Sequence, residues 1–336
     1  MLTILKRPYL WVGLAVSVGA LALASRRLRI DEVGDALTAA NYLWLFPAIA
    51  ALTIGLVLRA RRWQLLFHPV GGLSLGNLFG TMNIGYMLNS VLPFRVGEFG
   101  RAYVIGKVED VGLIHTLTTI VVERLLDVLL VVALLLILLP FVDEPGWATG
   151  PALMLGVSIL VLATLLAAIG RARRFALRIV EWLLRPAPEG LRGRLRESAE
   201  AALDGFATLG HPSVLLRAGA WSVAAWAFSS LYLYFILLAF DLELNYAAAL
   251  FVMVATALGL IVPSSPGAIG VYHAIAIETL TSVFAVERAD AAGFALVSHA
   301  FLNLLPIILA MAYLWSRRES WREMLSGALS RSEAKP

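Results

Sequence analysis

The sequence predicts an all-α, polytopic helical integral membrane protein, and three observations predict it. Of the 336 residues, 60% are hydrophobic and 15% charged, with a mean hydropathy of +0.82. Soluble domains run to about 45–50% apolar and about 25% charged. Several windows also extend for about 18 residues or more with almost no charge, the length that carries a helix across roughly 30 Å of hydrocarbon. Those windows are continuous and rich in Leu and Ala, whereas barrel strands alternate polarity over about ten residues. Helices are therefore how this backbone satisfies its polar groups in lipid.

The elements follow in order. A first apolar segment covers 9–25 behind Lys6 and Arg7. Ala22-Leu23-Ala24 resembles a signal-peptidase site, but the segment is long and further spans follow it, which favours retention. Residues 30–41 read as a short amphipathic connector. A second span, 43–60, ends in Arg59, Arg61, Arg62 and Trp63, a membrane-interface signature. Residues 76–112 begin as an apolar helix, break at Pro93 and continue through Arg95, Gly97, Glu98, Gly100 and Arg101. A long span at 116–139 carries Glu123, Arg124 and Asp127 near its start, and another is expected at 151–170 after Asp143-Glu144.

The one sizeable polar section, 171–212, holds eight arginines from Arg171 to Arg196. Apolar residues recur among them at near-helical spacing. A surface amphipathic helix pair and a solvated basic loop both fit that pattern. A span at 213–240 then reaches the acidic linker Asp241–Glu243. A short apolar segment, 246–262, breaks at Pro263-Ser264-Ser265-Pro266-Gly267, and a short helix at 268–285 follows. A last span at 291–316 leads to Arg317, Arg318 and Arg322.

Basic residues in short loops set orientation. Placing 171–212 and the tail inside puts both termini in the cytoplasm of a multi-pass plasma-membrane protein. Arg26, Arg27 and Arg29 then fall outside, the one violation. The single transmembrane domain, 1–336, divides on this reading into two units of opposite orientation, 43–139 and 213–316. Each contains a Pro/Gly-broken hairpin, at 76–112 and 246–285. Two full crossings at each break satisfy the same parity, but the short flanking segments favour re-entrant hairpins. Such paired interruptions are the sequence-level pointer to a transport site at the bilayer midplane.

The candidate site residues gather at the breaks. Asn89, Arg95, Glu98 and Arg101 lie within thirteen residues around Pro93 and Gly97. Ionisable groups at membrane depth pair with one another or face a cavity. Two arginines there suit a phosphate, with Glu98 holding one of them or carrying a proton; a loop of interfacial salt bridges is the plainer alternative. Glu123 and Asp127 are four apart and share a helix face, while Arg124 points elsewhere. Either acid suits an ion pair with Arg95 or Arg101, as a structural clamp or in a direct substrate role. In the second break Pro263, Ser264, Ser265, Pro266, Gly267 and Gly270 open a helix whose free N–H groups suit an anion. His273 lies two turns in, Glu278 further along, and His299 and Asn303 stand one turn apart on the last span. Each lone histidine has packing as its plainer role.

Composition also excludes. With no cysteine there are no disulfides or thiolate metal sites, and no metal or other cofactor is expected. There is no P-loop, no Gly-x-Ser-x-Gly elbow and no His-Glu-x-x-His, so no enzyme activity is expected. The net charge of +4 belongs to loops facing the cytoplasm, and no nucleic-acid module is visible.

Residues 85–101 (GYMLNSVLPFRVGEFGR), with Glu123-Arg124 and Asp127 downstream, resemble the Asn…Leu-Pro-x-Arg-x-Gly-Glu…Arg and Glu-Arg-x-x-Asp signatures of the lysylphosphatidylglycerol synthase transmembrane, flippase-like family. Residues 263–273 (PSSPGAIGVYH) resemble its Pro-x-x-Pro-Gly-x-x-Gly signature. The resemblance covers nearly the whole chain and implies a protein that handles polar-headed lipids. The chain ends soon after the last span, so a stand-alone membrane domain without the synthase domain is expected. Many members have Glu where this sequence has His273 and Gly where it has Ala268, which leaves the headgroup open.

The expected function is thus a flippase for a polar-headed or phosphate-bearing lipid, its partners being anionic membrane lipids and either a second copy or a partner enzyme. The alternatives are an accessory subunit or membrane-embedded enzyme of isoprenoid, glycolipid or aminoacyl-lipid metabolism, and a proton-coupled small-solute transporter.

Overall fold

The computed structural model describes residues 16–22, 29–68, 70–92, 95–138, 173–184, 188–260 and 265–318, with Met154, Val157, Ser158, Leu160, Val161 and Thr164. Pro93, Pro263, Ser264, the loop 143–150, most of the spans expected at 9–25 and 151–170, and the tail with Arg322 lie outside the described residues. Every regular element among those described is helical: α1 (Ile30–Ala39), α2 (Leu45–Leu66), α3 (Leu75–Val91), α4 (Gly97–Val108), α5 (Leu113–Leu138), α6 (Arg173–Leu183), α7 (Glu189–Phe206), α8 (Pro212–Ala239), α9 (Tyr246–Gly259), α10 (Val271–Phe284) and α11 (Arg288–Ser316), with short 3₁₀ turns between some of them.

Among the described residues, four stretches are long and apolar enough to cross a membrane: Tyr42–Leu66, Pro212–Ala239, Pro266–Phe284 and Arg288–Ser316. Helix α5, of 26 residues, also has the length; three charges near its middle, Glu123, Arg124 and Asp127, set it apart. Large apolar side chains such as Phe46, Leu216, Ile308 and Trp315 stand exposed on the outer faces, where hydrocarbon is their natural solvent.

Between helices in lipid, close packing and hydrogen bonds replace the hydrophobic drive. The central pair shows how. Helices α2 and α8 make the most extensive helix–helix contact among the described residues. A β-carbon at Gly55 would stand 3.2 Å from Ser229 Oγ and 3.5 Å from the Ala225 carbonyl, so the small residue lets the backbones approach. Pro212 occupies the first turn of α8, where its missing N–H costs nothing.

The expected broken hairpins are present as helix pairs, α3 with α4 and α9 with α10. Their arms hold 17 and 12 residues, and 14 and 14. At 1.5 Å per residue these are about 25, 18, 21 and 21 Å long; the first three are short of the roughly 30 Å core, while α10 with the turn before it forms the longer stretch Pro266–Phe284. In the second break the backbone turns through Gly267 (φ +66) and Gly270 (φ +89), conformations open to glycine without strain. The packing of the two halves corresponds. Helix α3 packs on α11 and α9 packs on α5; α4 packs on α5 and α10 on α11.

Of the basic segment, α6 and α7 pack on each other, and α7 packs on α5. Ile179, Trp182 and Leu183 of α6 remain exposed, so the helix pair is formed and keeps one apolar edge open. Arg29 pairs with Asp31 at 3.0 Å and Glu32 at 2.8 Å at the start of α1. Those local partners neutralise one of the three arginines expected to go against the charge bias; Arg26 and Arg27 lie outside the described residues.

Candidate functional site

Two groups of polar residues meet inside the bundle, one beside each break. The first is a knot of charge. Arg62 of α2 grips Asp127 of α5 with both terminal nitrogens, at 2.5 and 3.2 Å, and also donates to Ser222 of α8 at 3.1 Å. It lies 3.4 Å from Glu123. Arg101 of α4 reaches Glu123 at 3.2 Å and Glu98 at 2.7 Å, its guanidinium 4.8 Å above the Trp63 ring. Trp226 of α8 donates to Asp127 at 3.2 Å. Arg59, one turn before Arg62, lies 4.0 Å from Asp127 and donates to Ser229 at 3.2 Å.

Arg62, Glu123 and Arg101 are exposed by no more than 2%. Four helices thus contribute to one water-poor cluster, in which an ion pair holds only with good geometry and further hydrogen bonds. Four arginines (59, 62, 101 and 124) face three carboxylates (98, 123 and 127), a formal excess of one positive charge. Arg95 lies close enough to Glu98 and Arg124 to interact with both and raises the excess to two.

The geometry separates the arginines by role. Arg101 is sealed and pairs Glu98 and Glu123, so it clamps α4 to α5 as the shared face of Glu123 and Asp127 suggests. The expectation that Arg124 points elsewhere is corrected. It pairs with Glu123, lies 3.5 Å from Asp127 and 4.0 Å from Glu98. The helical wheel fixes only the direction of Cβ, and a long arginine side chain folds back across its own helix. Its side chain keeps 37% exposure, and among the described residues its Nε has no hydrogen-bond partner. Arg95 is exposed, sits at φ +51 and donates to the Leu260 carbonyl at the end of α9. A non-glycine residue in that region is strained, a condition that gathers at functional sites.

Asn89 proves to be a cap. Its Oδ1 accepts from the Gly97 N–H at 2.8 Å, at the start of α4. A β-carbon on Gly97 would collide with the Gly85 carbonyl and with Asn89, so this glycine is what lets α3 and α4 close.

The second group is neutral. Ser90 of α3 donates to Asn303 Oδ1 of α11 at 2.7 Å. His299 Nε2 is 2.7 Å from the Gly267 carbonyl, and Asn303 Nδ2 donates to the His299 carbonyl at 2.9 Å. The His273 and His299 rings lie 4.6 Å apart, with Tyr272 4.9 Å from His299. Tyr272 and Tyr232 both bond Ser298, at 3.0 and 2.5 Å. Ser265 bonds Ser17 through its N–H at 2.8 Å. Glu278 is not in this group; it pairs with Arg288 at 2.5 Å, near the other end of α10. Among the described residues no group of three His, Asp or Glu side chains is placed to hold a metal.

The structure therefore brings the two breaks together. Arg95 bonds the end of α9, Ser90 bonds α11, and the Ser90 backbone lies within 3.4 Å of where a Gly267 β-carbon would stand. Reading the sequence missed Arg59 and Arg62, which resemble a membrane-interface cluster. The signal that identifies them is spacing: two arginines three apart on one apolar span match two acids four apart on another.

A helical membrane protein with two polar clusters at joined hairpin breaks is the class that fold and site define. Residues 10–310 match the family described as "Lysylphosphatidylglycerol synthase TM region", and the chain belongs to that family. It is 29% identical over 286 residues to a "UPF0104 membrane protein" of Methanothermobacter thermautotrophicus, covering 79% of this chain and 83% of that one. It is 22% identical over 335 residues to "Glycosyltransferase AglD" of Haloferax volcanii, covering 91% of this chain and 54% of that one. The chain thus spans about half of the latter protein.

Proposed function

We propose that this protein is a flippase that moves a polar-headed, phosphate-bearing lipid between leaflets. In this reading both termini are cytoplasmic, the membrane is the cell membrane, and the two hairpins re-enter from opposite faces. One observation carries the reading. The two breaks meet beside a cluster with excess positive charge, and its two accessible arginines, Arg95 and Arg124, stand at that junction. Irregular backbone at membrane depth is tolerated where it lines a protein or water-filled cavity, and two guanidinium groups suit a phosphate. The shortness of the α3, α4 and α9 arms and the corresponding packing of the two halves support the inverted arrangement.

Reconstitution in proteoliposomes tests it. Fluorescent phospholipids and a polyprenyl-phosphate analogue are followed from one leaflet to the other. Wild type moves at least one of them, and Arg95→Ala and Glu98→Gln abolish movement while the protein stays folded. If wild type moves no lipid, even under an imposed proton gradient, the reading is wrong.

The second reading, a membrane subunit that serves an enzyme, is favoured by the relative named as a glycosyltransferase, which this chain matches over about half its length. In that case the same arginines hold a lipid phosphate for a partner without moving it across.

A further inference from the structure

The hydrogen-bond states of the two histidines at the second break follow from their neighbours. The Gly270 N–H can only donate, and it points at His273 Nδ1, 3.3 Å away. That nitrogen is therefore unprotonated, and the proton of the neutral ring sits on Nε2. The Gly267 carbonyl can only accept, and at 2.7 Å it is the nearest partner of His299 Nε2. His299 thus carries its proton on Nε2 and leaves Nδ1 as an acceptor.

Among the described residues, nothing pairs with His273 Nε2 or His299 Nδ1. Neither atom belongs to the fully buried unpaired set, although His273 as a residue is only 9% exposed. A donor and an acceptor therefore stand open on two rings 4.6 Å apart. The charged groups of the surrounding elements are occupied elsewhere. Glu278 of α10 pairs with Arg288 of α11, and Glu98 of α4 pairs with Arg101. No described carboxylate touches either imidazole. Tyr272, Ser298, Asn303 and Ser90 supply only neutral polar groups.

We propose that His273 and His299 form a subsite for a neutral hydroxyl group of the lipid headgroup, His273 Nε2–H donating to its oxygen and His299 Nδ1 accepting its proton. A hydroxyl is at once donor and acceptor, which matches the pair. An ammonium group has three donors and no acceptor, and finds no carboxylate here. The inference rests on the flippase reading and deepens it. Ser90, bonded to Asn303 of this subsite, adjoins Asn89, which caps α4 beside the arginine cluster, so one headgroup can reach both groups. The preferred substrate class is a phosphate lipid that bears a polyol or sugar.

The test compares three lipids in the same proteoliposomes: phosphatidylglycerol, phosphatidylmethanol of equal charge but no hydroxyl, and phosphatidylethanolamine. Wild type favours phosphatidylglycerol over phosphatidylmethanol by about fivefold, the scale of one or two neutral hydrogen bonds, and disfavours phosphatidylethanolamine. His273→Phe and His299→Phe bring the first ratio to about one. His273→Gln, which keeps a donor, retains the preference. Equal rates in wild type, a preference for phosphatidylethanolamine, or variants that keep the ratio would overturn the inference while leaving the flippase standing. If nothing is moved, the flippase reading fails by itself. The subsite is then read from equilibrium binding of short-chain forms of the same lipids to detergent-purified protein, with the same ratios expected and the same results overturning it.

Discussion

Ser90 Oγ donates to Asn303 Oδ1 across 2.7 Å, joining α3 to α11 although 213 positions separate the two residues. Together with the bond from Arg95 to the Leu260 carbonyl, it fastens the first broken hairpin to the second half of the chain. Helix-to-helix hydrogen bonds in membranes contribute about 0.6 kcal/mol on average. A double-mutant cycle of Ser90→Ala and Asn303→Leu, read from unfolding in mixed micelles, is expected to give a coupling of about that size. Full additivity of the two variants would mean that the junction carries no energy.

The buried pair of Arg62 and Asp127 makes a larger prediction. Asp127→Asn leaves a sealed guanidinium short of its main partner, and breaking such a pair costs about 3–5 kcal/mol. The double variant Arg62→Met, Asp127→Leu is expected to recover a large part of that loss, since well-packed apolar replacements of buried pairs are often neutral. Thermal denaturation of the three proteins in one detergent checks both statements.

Gly97 permits the closure of α3 on α4. In Gly97→Ala the new methyl group meets the Gly85 carbonyl, and overpacking of this kind costs about 1–3 kcal/mol. A cysteine pair placed on the facing sides of α3 and α4 should cross-link more slowly in this variant than in the parent. An unchanged rate would show that the hairpin does not depend on the close approach.

Arg101 and Arg124 should fail differently. Arg101 is 2% exposed and Arg124 37%. Arg101→Gln is expected to lower the unfolding temperature, because Glu98 and Glu123 lose a sealed partner. Arg124→Gln should stay folded yet slow the movement of an anionic lipid about tenfold or more, the loss of one charge-assisted bond of ~1.5–3 kcal/mol. Equal melting temperatures for the two variants would remove the distinction between clamp and ligand.

The site was legible only in part, for reasons these residues illustrate. Glu123, Asp127, Arg95 and Arg101 stood out because charge inside an apolar chain is costly and marks pairing or function. Arg62 did not, since three arginines and a tryptophan at the end of a span also describe an ordinary interface. Arg124 was assigned to the wrong face because periodicity locates a β-carbon and not the end of a long side chain. That Asn89 caps α4 was not legible either, since the role depends on where the Gly97 N–H falls after the chain has turned.

By itself the sequence determined the helical membrane class, the family and the two breaks. Apolar run length and Pro/Gly interruption are local properties, and lipid leaves the backbone few alternatives. Only the tertiary structure decided which charges meet. It put Arg62 of α2 against Asp127 of α5, sealed Arg101, left Arg124 half-open and set Ser90 beside Asn303. Those pairings come from the close packing of helices distant in sequence, and no local pattern encodes which face of one helix meets which face of another.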